Sequence, residues 1–205
     1  MGIPDFSAAS IQPLDALEVV RRRPEMWFGP AEGRMNHIAF GSMCLGLAEG
    51  VCGSASVVRL EIDGPSVVVT DDGIGPSLTI VPQYDAPQAQ IIMTVIGACA
   101  DNKARTDLAH DLCGGTGMAA INAVSERARI EIRGGGSIAF QEYRHGMPQA
   151  PFARSAIESA ETGTRLEFQL DESIVDVKAI DQEVIRQRIN EVTDLQAAIE
   201  ITIRN

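Results

Sequence analysis

Residues 57 to 71, VVRLEIDGPSVVVTD, hold two apolar runs of strand length broken by Gly64-Pro65. β-Branched residues crowd both runs and Gly-Pro is turn chemistry, so the pair reads as a β-hairpin. Three further strand-like segments, ARIEIR, GSIAFQEYRHG and GTRLEFQL, follow in the second half, and AAIEITIR comes last. Helical patterns lie between them. SIQPLDALEVVRRR places Leu14, Leu17 and Val20 on one stripe before Pro24, and the segment after Pro24 reads as an extended turn. A longer helix is expected from about Met35 to Cys52, ending at Gly53. AQIIMTVIGAC reads as a buried helix, GGTGMAAINAVSE as a glycine-rich loop opening another, and Asp181 to Thr193 as a polar one. This order predicts an α+β fold: one mixed, mostly antiparallel sheet with helices on one face. With 205 residues, 45% of them apolar, the chain is expected to form a single domain over 1–205.

The formal net charge of -11 argues against a nucleic-acid partner, because that affinity comes mainly from counterion release by Lys and Arg. The run Arg21-Arg22-Arg23 reads as a solvated helix face. No apolar run approaches the ~20 residues that span a bilayer, so no membrane partner is expected. The N-terminus MGIPDFSAAS lacks a basic-then-apolar signal pattern, and a cytoplasmic location is expected. Cys44, Cys52, Cys99 and Cys113 show no C-x-x-C spacing and read as buried thiols; His37, His110 and His145 are scattered. Neither a metal site nor a cofactor is expected.

In VVVTDDGIGPS an apolar strand runs into two acids and a glycine pair, which sets a carboxylate at a pocket rim. Asp71 beside Gly73 is either that pocket acid or a plain turn former.

The segments ALEVVRRRPEMWFG, VVVTDDGIG, QIIMTVIGA, AINAVSERARIEI, YRHGMPQAPF and TGTRLEF follow one another in an order and spacing similar to those of a known family. The chain resembles the N-terminal ATPase domain of DNA gyrase B and its type II topoisomerase relatives, of the GHKL superfamily. The resemblance implies a two-layer sandwich, and it implies that residues 1–14 form an arm exchanged across a homodimer. It assigns Asp71 to the adenine-binding floor, with Thr164 supporting it through a shared water. No counterpart of the family's transducer domain is expected in this chain. The catalytic positions depart from the family's pattern. Where the family has a general base and a Mg²⁺-binding Asn on one helix stripe, this chain has Gly41 and Leu45. The family's pocket Arg corresponds to Ile74, its lid Lys to Asp101, and a further Arg to Gly134. Its phosphate loop has become Asp111-Leu112-Cys113-Gly114-Gly115-Thr116-Gly117, with Gly114, Gly115, Thr116 and Gly117 still able to offer backbone N–H groups. Glycine supplies no base, and leucine cannot ligate a cation that needs oxygen donors.

Three readings follow. An ATPase with relocated residues would need a base near Gly41, and Glu49 lies two turns away, roughly 12 Å by helical rise. A regulatory or decoy protein of gyrase, or of a gyrase-directed antibiotic, would keep the fold for its surface. A repurposed pocket would be lined by Gly41, Leu45, Ile74, Gly75, Pro76, Ile92, Met93, Cys99 and Thr164, with Asp71 and Glu49 as its acids. The last reading is expected to hold best: a mostly apolar pocket for an apolar small molecule that is neutral or cationic, no ATP hydrolysis, and acid–base chemistry of the isomerase, cyclase or lyase kind carried by Asp71 and Glu49. A pocket simply filled by side chains is the bland alternative.

Overall fold

The computed structural model describes residues 15–97, 108–109, 111–112, 114 and 116–204. The expected N-terminal arm at 1–14, together with Cys99, Asp101, His110, Cys113 and Gly115, lies outside the described residues.

The chain opens with α1 (Ala16–Arg22), whose N-cap Asp15 accepts from the Leu17 N–H. The stretch after Pro24 is a short helix, α2 (Glu25–Phe28), rather than the extended turn expected from the proline. Proline here fills a place that donates no helical hydrogen bond, so it starts the helix instead of stopping the chain. The central element is α3 (Ala31–Val51), one turn longer at its start than the sequence suggests. It is buried from Met35 to Gly50 except at His37. A helix apolar on most sides must be enclosed on most sides. Here α3 lies between the sheet and its neighbouring helices.

The hairpin forms as expected from β1 (Val57–Asp63) and β2 (Ser66–Asp71). A small pair, β3 (Ile80–Val81) with β4 (Ala86–Pro87), leads into α4 (Gln88–Thr94). The helix expected to reach residue 99 therefore stops at Thr94, where Val95 turns extended. Next come α5 (Gly117–Ala123), β5 (Ser125–Gly134) and β6 (Ser137–Arg144). Two short strands, β7 (Met147–Pro148) and β8 (Ala153–Ala156), pair with the same edge of β6. The chain continues through β9 (Gly163–Leu170), α6 (Gln182–Asn190) and β10 (Ala198–Arg204).

The main sheet runs β10-β1-β2-β9-β5-β6-β7. Only β1 with β10 is parallel among these pairs; the others are antiparallel. One face packs on α3, α5 and the core, and the other carries charge. On that open face Glu131 takes Arg129 at 3.0 Å and Arg133 at 2.9 Å, and the Arg129 guanidinium lies 4.1 Å over the Phe140 ring. The period-2 pattern of β1, β2 and β9 builds this two-sided sheet.

Arg21 departs from the solvated role expected of it. Its guanidinium donates to Ala123 O at 2.8 Å and to Asp171 Oδ2 at 2.6 Å, clamping α1 onto the end of α5 and the exit of β9. Arg22 does sit at the surface, paired with Glu18. Cys44 is buried as expected, but Cys52, at the helix end, is exposed; neither is in a disulfide. Among the described residues no helix is long and apolar enough to cross a membrane.

Candidate functional site

The strand β2 ends at Asp71, and its ladder partner on β9 is Thr164, which in turn pairs with Ile132 on β5. These three residues, from three adjacent strands, make a floor. The loop after Asp71 folds back over it. Gly73 N–H donates to Asp71 Oδ1 at 2.9 Å. Gly75 has φ +68°, and a Cβ there would stand 2.6 Å from Thr164 Oγ1, so only glycine lets the loop close this tightly. Thr164 Oγ1 is itself buried and has no hydrogen-bond partner among the described residues. A buried hydroxyl in that state keeps its hydrogen-bonding capacity unused within the described residues.

Above the floor runs α3. His37, Gly41, Leu45 and Glu49 recur every four residues, so they share one stripe about 18 Å long. Gly46 borders it where the helix passes Asp71: a Cβ there would meet Asp71 Oδ2 at 3.3 Å and Val58 Cγ1 at 3.0 Å. Glycine inside a helix weakens it by roughly 1 kcal/mol, and this one makes room for the carboxylate. Gly41 is crowded by Ile121 Cδ1, 3.2 Å from its would-be Cβ, so a side chain from α5 occupies the space beside it.

The two neighbouring acids behave oppositely. Burial, opposed by the N–H groups of Gly73 and Thr164 and helped by the negative charge of Glu49, pushes the Asp71 carboxyl up to about 7. For Asp72 the cost of burial is overcome by hydrogen bonds from Ser56 and Val57, which hold its carboxyl below the ordinary range. Asp72 Oδ1 accepts from Ser56 N–H at 2.7 Å and Val57 N–H at 3.0 Å, and Oδ2 from the Ser56 hydroxyl. Adjacent acids driven apart in this way divide the work: Asp72 fixes the start of β1, and Asp71 holds a proton near neutrality.

Glu49 is buried. The Ser54 hydroxyl lies 2.6 Å from Glu49 Oε2 and donates to it. Ile74 is 51% exposed, at the rim rather than on an enclosed wall. Gly75 and Pro76 are buried beneath it. Leu45 and Met93 are members of the main apolar core, with Ile92 half-buried beside them. Met93 O also accepts from Asn122 Nδ2 at 2.8 Å, which ties α4 to α5.

At the far end of the stripe Thr116, just before Gly117 and α5, gives its hydroxyl to Trp27 O at 3.1 Å. That leaves His37 Nε2, 3.2 Å away, to donate to the same oxygen. Thr116 therefore braces the loop against α2 and α3. Gly114 has φ +62° with open space around it. His37 escapes a sequence reading that weighs histidines only as zinc ligands; its four-residue spacing from Gly41 is the available signal. Gly46 and Ser54 escape it as well, since a glycine's neighbour and a serine's acceptor are set by the fold. Among the described residues no cluster of His, Cys, Asp and Glu is suited to a metal ion.

No family model matches the chain. Among curated proteins it is 29% identical over 210 residues to the DNA gyrase B protein of Haloferax volcanii, an alignment covering 97% of this chain and 32% of that protein. The gyrase B protein of Clostridium acetobutylicum is 29% identical over 200 residues, and that of Staphylococcus epidermidis 28% over 204. Over nearly its whole length the chain is similar to DNA gyrase B. It spans about a third of the length of the curated relatives it matches, with 31% to 32% of each covered. The mixed sheet and the strand-end acid occur together in this chain, as the resemblance implied.

Proposed function

We propose that this gyrase-B-like domain binds a neutral or cationic small molecule on the floor formed by Asp71 and Thr164, and that it does not hydrolyse ATP. The observation that carries the reading is the orphaned Thr164 hydroxyl, buried beside an acid that holds its proton near neutrality. A ligand presenting a donor to one group and an acceptor or bridging water to the other satisfies both. The wall departs from a nucleotide site. Gly41 and Leu45 supply neither a base nor an oxygen ligand for Mg²⁺, and Ile121 crowds the place where a longer side chain at 41 would stand.

The same site has the means for acid–base chemistry. A carboxyl half-protonated near pH 7 gives or takes a proton with little penalty, the property required of a general acid or base. In that reading Asp71 moves the proton, and Glu49, anchored by Ser54, sets the charge Asp71 feels. Isomerase, cyclase or lyase reactions are the classes that such a pair suits.

The test pairs a thermal-shift screen with a phosphate-release assay. ATP, ADP and adenosine are compared with a panel of uncharged and cationic metabolites, with and without Mg²⁺. The expected result is no EDTA-sensitive phosphate release, and a stabilising metabolite whose effect falls about tenfold or more in affinity in both Asp71→Asn and Thr164→Val. Tight ATP binding with no response to the metabolites would overturn the reading in favour of a gyrase regulator or decoy. Saturable, Mg²⁺-dependent hydrolysis would overturn it in favour of an ATPase.

A further inference from the structure

One edge of the main sheet is β10, whose last five residues read Glu200-Ile201-Thr202-Ile203-Arg204. Ala198 N–H donates to Ser56 O at 2.8 Å within the parallel ladder to β1. Backbone groups alternate sides along a strand, so Ala198, Glu200, Thr202 and Arg204 turn theirs toward β1. Ile199, Ile201 and Ile203 turn theirs outward, and no strand among the described residues takes up that row. Edges of this kind are usually shortened, bulged or studded with Lys and Pro. This one has seven residues, Ala198–Arg204, with no bulge, Lys or Pro, its only charges being Glu200 and Arg204.

We propose that the outer edge of β10 pairs antiparallel with β10 of a second copy of this chain, about a two-fold axis at Thr202, joining two sheets into one. In that register Ile201 faces Ile203 of the second copy, and each such pair exchanges both of its N–H···O bonds because both residues present outward groups. On the open face Glu200 meets Arg204 of the second copy on one side of the axis, and the reciprocal pair forms on the other. Shifting the axis to Ile201 keeps the backbone bonds but sets Glu200 against Thr202 and Arg204 against Ala198. The charge pattern therefore selects the axis at Thr202. Glu200 Oε2 is already 2.6 Å from Arg59 Nε, which holds its carboxylate on the face where the incoming arginine arrives. The isoleucines are half-buried on the helix side, and Ile199 also lines a mixed groove with Arg186, Ile189, Asn190, Val192 and Leu195. On a chain of net charge -11, an edge carrying one Glu and one Arg adds no net like-charge repulsion to the approach of a second copy.

Sedimentation velocity on the full chain, from low micromolar to several hundred micromolar, tests this. The wild type should dimerise reversibly. Glu200→Arg and Arg204→Glu each set like charges opposite one another at both pairs and should weaken the dimer roughly tenfold or more. An equimolar mixture of the two variants should recover it as a heterodimer, because their charges then complement each other. Ile203→Pro removes an outward N–H without touching the β1 ladder and should give a monomer whose circular dichroism matches the wild type. A wild type that stays monomeric throughout overturns the proposal. So does a dimer unchanged by both charge variants, or variant monomers whose mixture stays monomeric.

Discussion

Replacing Asp71 with asparagine separates the consequences of its proton from those of its shape. Asparagine keeps an oxygen for the Gly73 N–H and nearly the same volume, but it does not titrate. The native carboxyl is raised from 3.8 to about 7. Between those values the unfolded chain has released the proton and the folded one retains it, so the contribution of Asp71 to wild-type stability falls as pH rises, by about 1.4 kcal/mol per pH unit. The window thus runs from 3.8 to about 7, with the loss complete above it. From pH 5 to pH 8 the shift amounts to roughly 2 to 3 kcal/mol, and the full span to about 4 kcal/mol. For a domain of this size that corresponds to about 5 to 10 °C in Tm. Chemical denaturation of both proteins across that range should show Asp71→Asn gaining on the wild type as pH rises. Parallel stability curves, or a wild type that gains instead, would mean that Asp71 is already ionised at pH 5 and that the N–H groups of Gly73 and Thr164 outweigh its burial. Such a result would also remove the acid–base reading of the site.

Two further perturbations probe how the site is held. Gly75→Ala forces φ +68° on a residue with a Cβ and drives that atom against Thr164 Oγ1, so it should cost on the order of 1 to 3 kcal/mol. Gly64→Ala, at φ +53° with nothing nearby, isolates the backbone part, and equal losses in urea denaturation would refute the crowding. Arg21→Met strips Ala123 O and Asp171 Oδ2 of the guanidinium they share and should cost about 1 to 3 kcal/mol, against under about 0.5 for Arg22→Met at the surface. The Asp171 carboxyl, whose burial is outweighed by hydrogen bonds from Ser173 and Arg21, is held below 3.8. The advantage of the wild type over Arg21→Met should therefore be present above pH 3.8 and shrink as pH falls below it; an acid-independent difference would count against the clamp.

The amino-acid order by itself determined the element types where a pattern repeats along the chain. The strands β1, β2 and β9 alternate residue by residue, and a Gly-Pro turn can only join the first two as a hairpin. It also placed Asp71 at a strand end, and through resemblance it set Thr164 beside it. It could not show β8, whose four residues are all exposed and so leave no alternation to read. Nor could it show α2, because one helical turn after Pro24 has too few residues to display a period. What the tertiary structure decided lies between residues far apart in sequence. Arg21 finds Asp171 and Ala123 O, Ile121 crowds Gly41, and β10 lies parallel to β1 with Ala198 beside Val57. Ser54 is only five residues from Glu49, yet its role depends on how the chain turns after α3, which brings its hydroxyl to the carboxylate. The proton on Asp71 belongs to the same class: its sequence neighbours are a threonine and another acid, but its charge state follows from being enclosed by α3, Gly73 and β9. Periodicity is a property of neighbours along the chain, whereas burial and pairing follow from which surfaces pack together.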